Sequence, residues 1–114
     1  MTRIQVAIDD KAFRQRLCGT LTACHAGEVE CVETPDMRVP GVVVLDTEHL
    51  ERMATPLLRP ERCVLVAHGV RGAMPDLMSR AWESGVRAVV YDRDPLDTLV
   101  LAVLSARIRK EAKS

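Results

Sequence analysis

Residues 41–45 read Gly-Val-Val-Val-Leu, and residues 63–67 read Cys-Val-Leu-Val-Ala. Both segments are continuously apolar and rich in valine, a pattern typical of strands that are buried on both faces of a parallel sheet. Residues 4–8, 28–32 and 86–91 indicate three further strands. Polar and apolar side chains alternate over residues 28–32, as expected for an edge strand with one solvated face. The sequence therefore predicts five strands.

Helical segments separate most of these strands. Residues 10–24, 47–58 and 74–84 predict three helices, and Pro95 is well placed in the first turn of a fourth. This alternation predicts an α/β fold with a doubly wound parallel sheet. Only residues 34–40, which include two prolines, remain between the second and third strands. A crossover helix does not fit there, so we expect an extended crossover in which this helix is reduced or missing.

Size and charge limit the classes of function. The chain has 114 residues, enough for one domain with one core. Its 16 basic and 16 acidic side chains balance, whereas a free-standing nucleic-acid binder is expected to be basic. The N-terminus lacks the apolar core of a signal peptide, and the longest apolar segment is too short to span a membrane. We therefore expect a soluble, cytoplasmic domain over residues 1–114 that binds neither nucleic acid nor membranes directly.

The four cysteines are Cys18, Cys24, Cys31 and Cys63. They form no C-x-x-C pair and no zinc-binding pattern with a histidine. Cys18 and Cys63 lie in apolar segments, where a thiol behaves as a small buried hydrophobic group. We expect all four to be reduced thiols of a cytosolic protein.

Several carboxylates directly follow the predicted strands. Asp9 and Asp10 come after the first strand, Asp46 after the third and Asp92 after the fifth. Functional sites of open α/β sheets lie at the carboxyl ends of the strands, so these four residues are expected to form one acidic pocket. Helix capping is the alternative explanation for Asp9, Asp10 and Asp46, because Asp is favoured at helix N-termini.

The residues at the strand ends also belong to longer motifs. These motifs are Ile-Asp-Asp at 8–10, Val-Val-Val-Leu-Asp at 42–46, Val-Leu-Val-Ala-His-Gly at 64–69 and Ala-Trp-Glu-Ser-Gly-Val-Arg-Ala-Val-Val-Tyr-Asp at 81–92. Through them the chain resembles response-regulator receiver domains along nearly its whole length. The resemblance implies a flavodoxin-like (CheY-like) sheet with strand order 2-1-3-4-5. It also implies that Asp46 stands at the phosphoacceptor position, and that Asp9, Asp10 and Asp46 are candidate ligands for Mg²⁺.

The chain departs from the receiver pattern at three positions. Ala67 stands where the family has a Ser or Thr, Asp92 where it has a Lys, and Val89 at the position of the switch aromatic. Phosphoryl transfer needs positive charge near the transferred oxygens, and Asp92 replaces a cation by an anion. Without a bound cation, the carboxylates of the acidic pocket are expected to repel one another, which raises the pKa of at least one of them. Changing Asp46 or Asp92 to Asn is then expected to raise the melting temperature.

The last helix carries two apolar stripes. The first stripe has the spacing of a face that packs on the sheet: Leu96, Leu99, Val100 and Val103. The second stripe lies beside it and consists of Leu101, Leu104 and Ile108. A wide core face is one explanation of the second stripe. We favour a homodimer interface, which also agrees with how related receivers pair.

These observations favour a pseudo-receiver, meaning a receiver-like domain in which phosphorylation is impaired or absent. Its expected role is that of a non-enzymatic interaction and dimerisation module that needs no cofactor. By family analogy it would control transcription through an attached or partner output domain. One alternative is a working receiver that accepts phosphate on Asp46 with Mg²⁺. Another is a sensor that binds a small ligand in the strand-end pocket.

Overall fold

Five parallel strands form one sheet in the order β2-β1-β3-β4-β5. The computed structural model describes residues 2–53, 60–67, 79, 83, 85, 86 and 88–112. The strands are β1 (Arg3–Ala7), β2 (Glu28–Cys31), β3 (Val42–Asp46), β4 (Cys63–Ala67) and β5 (Ala88–Tyr91). The predicted parallel sheet, its strand order and the edge position of the second strand are therefore confirmed.

Three helices are complete within the described residues: α1 (Lys11–Ala23), α2 (Thr47–Arg52) and α3 (Leu96–Ala112), with a 3-10 turn at Pro60–Arg62 before β4. Of the helix predicted over residues 47–58, positions 54–58 lie outside the described residues. The helix predicted over residues 74–84 also lies outside them, except for Ser79 and Glu83, which are helical. Within the described ranges, no helix is long and apolar enough to cross a membrane.

The sheet separates two hydrophobic clusters. On one face, Ile4, Val6 and Ile8 pack with the apolar sides of α1 and α3, including Leu17 and Leu99. On the other face lies a smaller cluster, which contains Ala7, Val43, Leu45, Leu50 and Leu65. Successive strand residues alternate between the two clusters, because side chains alternate across a strand. Both faces of the central strands are thus buried, as the continuous apolar segments predict.

No helix covers the crossover between β2 and β3, which the structure describes in full. The buried Gln5 side chain replaces part of the missing support. Its amide donates to the carbonyl of Asp36 and accepts from the N–H of Asp36, both at 2.9 Å. An extended crossover exposes backbone groups that a helix would satisfy internally, so such side-chain partners are needed. The expectation that this helix is missing is confirmed.

Arg62 holds the second half of the same crossover. Its guanidinium is 5% exposed and donates to the carbonyls of Met37 at 2.7 Å, Val39 at 2.9 Å and Gly41 at 3.1 Å. Gly41 itself has φ +127°, and a Cβ there would collide with the backbone carbonyl of Arg3. The chain can therefore enter β3 only with glycine at this position.

Candidate functional site

Asp46 lies at the centre of the strand-end rim. It is the last residue of β3 and the N-cap of α2, and it is 0% exposed. Its Oδ2 accepts a hydrogen bond from the backbone N–H of Asp9 at 2.8 Å. Its Oδ1 accepts from the backbone N–H of His49 at 2.9 Å and lies 2.6 Å from His49 Nδ1. Donors of this chain therefore engage both oxygens of the carboxylate at the phosphoacceptor position.

These contacts determine the ionisation of Asp46. Burial by itself raises the pKa of a carboxyl group, because it penalises the charged form. The pKa of Asp46 is nevertheless lowered, since the hydrogen bonds from Asp9 and His49 and the charge interaction with His49 outweigh that burial. The rise in pKa expected from mutual repulsion is therefore not found at Asp46, because the chain supplies donors in place of a bound cation.

His49 links the buried carboxylate to the surface. The ring is 4% exposed, with Nδ1 against Asp46 and Nε2 3.7 Å from Oδ1 of Asp9. An ionised Asp46 offers only acceptors, so the 2.6 Å contact requires a hydrogen on Nδ1. The other carboxylate oxygen of Asp9 lies 3.1 Å from a guanidinium nitrogen of Arg52. The rim thus holds a continuous network of four side chains: Asp46, His49, Asp9 and Arg52.

Asp10 and Asp92 have other roles in the structure. Asp10 is the N-cap of α1, and its side chain accepts a hydrogen bond from the N–H of Phe13 at 3.1 Å. Asp92 follows β5, and its N–H donates to the carbonyl of Ala67 at 3.0 Å. Neither belongs to the group of ligand-type atoms within 4.8 Å of one another, which consists of Asp9, Asp46 and His49. Capping, the alternative explanation, therefore describes Asp10 and also one part of the role of Asp46.

The donor set at this rim fits Mg²⁺ poorly. Magnesium prefers an octahedral shell of oxygens and usually keeps several waters. Both oxygens of Asp46 already accept hydrogen bonds, Asp10 caps a helix, and His49 offers nitrogen rather than oxygen. Asp9 is half exposed, and it is paired with Arg52. A magnesium ion would have to displace contacts that the folded chain already makes.

An open cavity of about 350 Å³ adjoins the network. Asp9, His49 and Arg52 form one wall, and Arg14 and Glu33 contribute further charged groups. The cavity lies where the extended crossover leaves the end of β2. Its lining is mixed in charge, which suits a small polar molecule better than an apolar one.

At the described ends of β4 and β5, the residues differ from those that receivers carry. Ala67 ends β4, is 0% exposed and carries no hydroxyl. Val89 lies inside β5 opposite Leu65 and packs against the smaller cluster, so it serves the core. Tyr91, which points to the same side of β5 two residues later, is paired in register with Ala67.

His49 and Arg52 are the site residues that the sequence analysis missed. The signal for His49 was its position three residues after an N-cap aspartate, where the backbone N–H meets the cap carboxylate. A histidine at that position can bring its ring to the same carboxylate. Arg52 has no comparable local signal, because its partner Asp9 is 43 residues away in sequence.

The second stripe of α3 divides into two parts. Leu101 and Ile108 are 64% and 60% exposed, the large hydrophobic side chains that the structure leaves most open in its described part. Leu104 is partly buried and packs against the core. The first stripe is in the core as predicted, with Leu99, Val100 and Val103 buried.

Comparisons with known proteins agree with the fold. No protein-family model matches the chain, and no curated protein matches it in sequence. Among solved structures, a receiver domain protein (CheY-like) from Methanospirillum hungatei is similar over 100% of this chain and 99% of its own, with a TM-score of 0.76 and 17% identity. A structure described as adenylate cyclase from Rhodopirellula baltica is similar over 99% of this chain and 93% of its own, with a TM-score of 0.70 and 16% identity. A LuxR-family DNA-binding response regulator from Staphylococcus aureus is similar over 94% of this chain and 99% of its own, with a TM-score of 0.62 and 19% identity. The chain therefore has the fold of response-regulator receivers.

Proposed function

We propose that this chain is a receiver-like interaction module that works without phosphorylation of Asp46. The observation that carries the proposal is the engagement of both Asp46 oxygens in a side chain with no exposed surface. A carboxylate that attacks a phosphoryl group needs a free oxygen in line with the bond that breaks. Asp46 has no exposed surface, so the rim around it would have to open before it could attack.

The charges around the site support the same proposal. A transferred phosphoryl group needs cations or donors aimed at its oxygens. Ala67 supplies no hydroxyl, and Asp92 supplies an anion where receivers carry a lysine. Arg52 is a cation at the rim, but it already pairs with Asp9. The module accordingly needs no Mg²⁺ and carries no enzymatic activity of its own.

Beryllofluoride tests this part of the proposal, because it bonds to a carboxylate oxygen and mimics a phosphoryl group. With Mg²⁺ and beryllofluoride present, the amide signals of Asp9, Asp46 and His49 in ¹⁵N–¹H NMR spectra should not shift. The matched variant combines His49→Ala, Ala67→Ser and Asp92→Lys, which frees Asp46 and restores the receiver groups. Saturable shifts in the unmodified chain would overturn the proposal.

The interaction that the module makes is a homodimer through α3. Leu101 and Ile108 are two turns apart on one side of the helix, and both side chains are mostly exposed. In a two-fold dimer each copy contributes the same face, so the patch of one copy would pack against the patch of the other. Each Å² of apolar surface so buried contributes about 25 cal/mol before the costs of association.

Light scattering over a concentration series tests the dimer. We expect a dimer at high micromolar concentration and a folded monomer for Leu101→Glu combined with Ile108→Glu. Ala12→Glu with Gln15→Glu is the matched control, because it places the same charges at exposed positions of α1. An unmodified chain that stays monomeric at that concentration would remove the dimer and leave the proposal about Asp46 untouched.

The output of the module is transcription control in the cytoplasm, through an attached or partner domain rather than through this chain. The likeness to a DNA-binding response regulator supports it. Within this chain, one of the basic residues near the C-terminus is already used internally, since Arg107 donates to the carbonyl of Ala26 at 3.0 Å. Co-purification of the module with an output domain encoded beside it tests this assignment.

Binding of a small ligand is the second candidate function, and the cavity beside His49 favours it. Its volume of about 350 Å³ suits a small polar molecule, and Arg14 and Arg52 offer cations to an anionic group. A panel of small carboxylates and phosphates, screened by melting temperature, tests this candidate. A rise with one of them that is lost in Arg52→Gln would favour it over the dimer module.

A further inference from the structure

Two cysteines that are far apart in sequence meet at the edge of the sheet. Cys18 lies in α1, and Cys31 is the last residue of the edge strand β2. Their sulfur atoms are 3.1 Å apart, although 13 positions separate them in the chain. The fold brings these thiols together because α1 leads directly into β2 and packs beside it. A pair of thiols in contact can do chemistry that a single thiol cannot.

The geometry is close to that of a covalent bond. A disulfide has its sulfur atoms about 2.05 Å apart, so the two atoms would have to approach by about 1 Å. Rotation about the side-chain bonds of the two cysteines brings the sulfur atoms closer together. Cys31 is exposed, whereas Cys18 is partly buried against the core. A reagent in solution would therefore reach Cys31 first.

Burial makes the Cys18 thiol hard to ionise. The pKa of Cys18 is raised to about 12, mainly by burial and also by its hydrogen bond to Cys31 and by the charge of Cys31, while Arg14 opposes this rise. Cys18 therefore keeps its proton at neutral pH. The exposed Cys31 sulfur is the one that a reagent in solution can reach, so it is the one placed to act as nucleophile.

We propose that Cys18 and Cys31 form a reversible disulfide when the protein meets hydrogen peroxide, with Cys31 as the attacking thiolate and Cys18 as the resolving thiol. In the first step, the Cys31 sulfur bonds to one peroxide oxygen, the O–O bond breaks, and hydroxide leaves; Cys31 becomes a sulfenic acid. In the second step, the Cys18 sulfur loses its proton and attacks the Cys31 sulfur, and the S–O bond breaks. That hydroxide leaves as water, so the peroxide is reduced by two electrons.

The bond would fix one wall of the cavity. Cys31 is followed directly by Val32, Glu33 and Thr34, which line it. Joining Cys31 to α1 fixes the start of the extended crossover relative to the helix that carries Arg14. A short closed loop also restricts the unfolded chain. We expect oxidation to raise the melting temperature by roughly 5–15 °C.

Thiol counting on the whole chain tests the site. The protein is treated with hydrogen peroxide, denatured, alkylated with N-ethylmaleimide and weighed by intact-mass spectrometry. We expect four alkylated cysteines before oxidation and two after it, a cross-linked peptide that joins Cys18 to Cys31, and full reversal by dithiothreitol. Cys24→Ser is the matched control, because Cys24 is exposed near the end of the same helix and should leave the cross-link unchanged.

Variants at the pair assign the two roles. Cys31→Ser, an exposed position, should fold normally and lose the intramolecular disulfide. Cys18→Ser should stop the reaction at a Cys31 sulfenic acid that dimedone traps. Direct oxidation of Cys31 to sulfinic acid without a cross-link, a bond to Cys24, or a bond between two chains would each overturn the proposal. These outcomes do not depend on whether Asp46 is phosphorylated.

Discussion

The two halves of the strand-end rim differ in how they depart from a receiver. At the ends of β1 and β3, the acidic residues Asp9 and Asp46 are present, but partners within the chain engage them. At the ends of β4 and β5, the hydroxyl and the lysine are absent, and Ala67 and Asp92 stand in their places. The half at β1 and β3 keeps the acidic residues of receivers, but contacts within the chain engage them. The half at β4 and β5 carries different residues.

This difference shows what a retained motif residue can mean. Asp46 matches the phosphoacceptor position in sequence, yet its place in the structure is that of a buried, hydrogen-bonded helix cap. A carboxylate kept for such contacts contributes to stability, and its loss should be costly. Asp92 lies outside this network, and its loss should cost less than the loss of Asp46. Stability measurements on the two halves can therefore separate the two situations.

The largest effect is expected for Asp46→Ala. The change leaves three donors without their acceptor, namely the N–H groups of Asp9 and His49 and the His49 ring, and should lower the free energy of unfolding by about 3 kcal/mol. Asp10→Ala is the matched control, since it removes an exposed N-cap and should cost about 1 kcal/mol. Urea denaturation measures both. Equal losses for the two variants would show that Asp46 is an ordinary cap.

This direction is opposite to the one that charge repulsion predicts from the sequence. The apolar segments show where the strands lie and which residues follow each one, and the resemblance to receiver domains implies the order of the strands, so the fold and the shared rim could be predicted. It does not show which backbone N–H groups point at Asp46. Those donors are set by the angle at which Asp9 leaves β1, and they convert expected repulsion into stabilisation.

Two other features were unpredictable for related reasons. Arg62 is buried because it meets three backbone carbonyls, and a carbonyl carries no signature in the sequence. Cys18 and Cys31 meet because α1 leads directly into the edge strand, so thirteen positions of separation become a contact. Both features depend on where the backbone goes, whereas patterns of side chains report mainly which faces are buried.

His49→Ala is expected to have the next largest effect. It removes the ring that donates to Asp46 and leaves the carboxylate buried with fewer partners, so the free energy of unfolding should fall by about 2 kcal/mol. Glu48→Ala, one position earlier and exposed, is the control and should change it by less than about 0.5 kcal/mol. A double-mutant cycle of His49→Ala with Asp46→Ala should show coupling. Additive losses would mean that the two side chains do not interact.

The pH dependence of stability gives a third test. The pKa of Asp46 is lower in the folded chain than its ordinary value of 3.8, so the ionised form stabilises the fold. Its contribution is fully present above that ordinary value and is lost as the pH falls through the folded pKa. The difference in unfolding free energy between the unmodified chain and Asp46→Asn should therefore shrink on acidification below about pH 4. A difference in unfolding free energy that grows on acidification would show that the ionised Asp46 carboxylate destabilises the fold.

The smallest effect is expected for Asp92→Asn. Asp92 does not belong to the Asp9–Asp46–His49 group, so neutralising it should lower the free energy of unfolding by less than the loss of Asp46 does, by about 1 kcal/mol or less. The same change at Asp46 supplies the comparison. A large loss at Asp92 would indicate that the second half of the rim also holds a structural carboxylate.

Phosphorylation with a small donor tests the central claim most directly. The protein is incubated with acetyl phosphate and Mg²⁺, and its intact mass is measured beside that of the His49→Ala, Ala67→Ser, Asp92→Lys variant, in which Asp46 is released and the receiver groups are restored. We predict no phosphate adduct on the unmodified chain and an adduct on the variant. A stoichiometric adduct on the unmodified chain that disappears in Asp46→Asn would contradict the account.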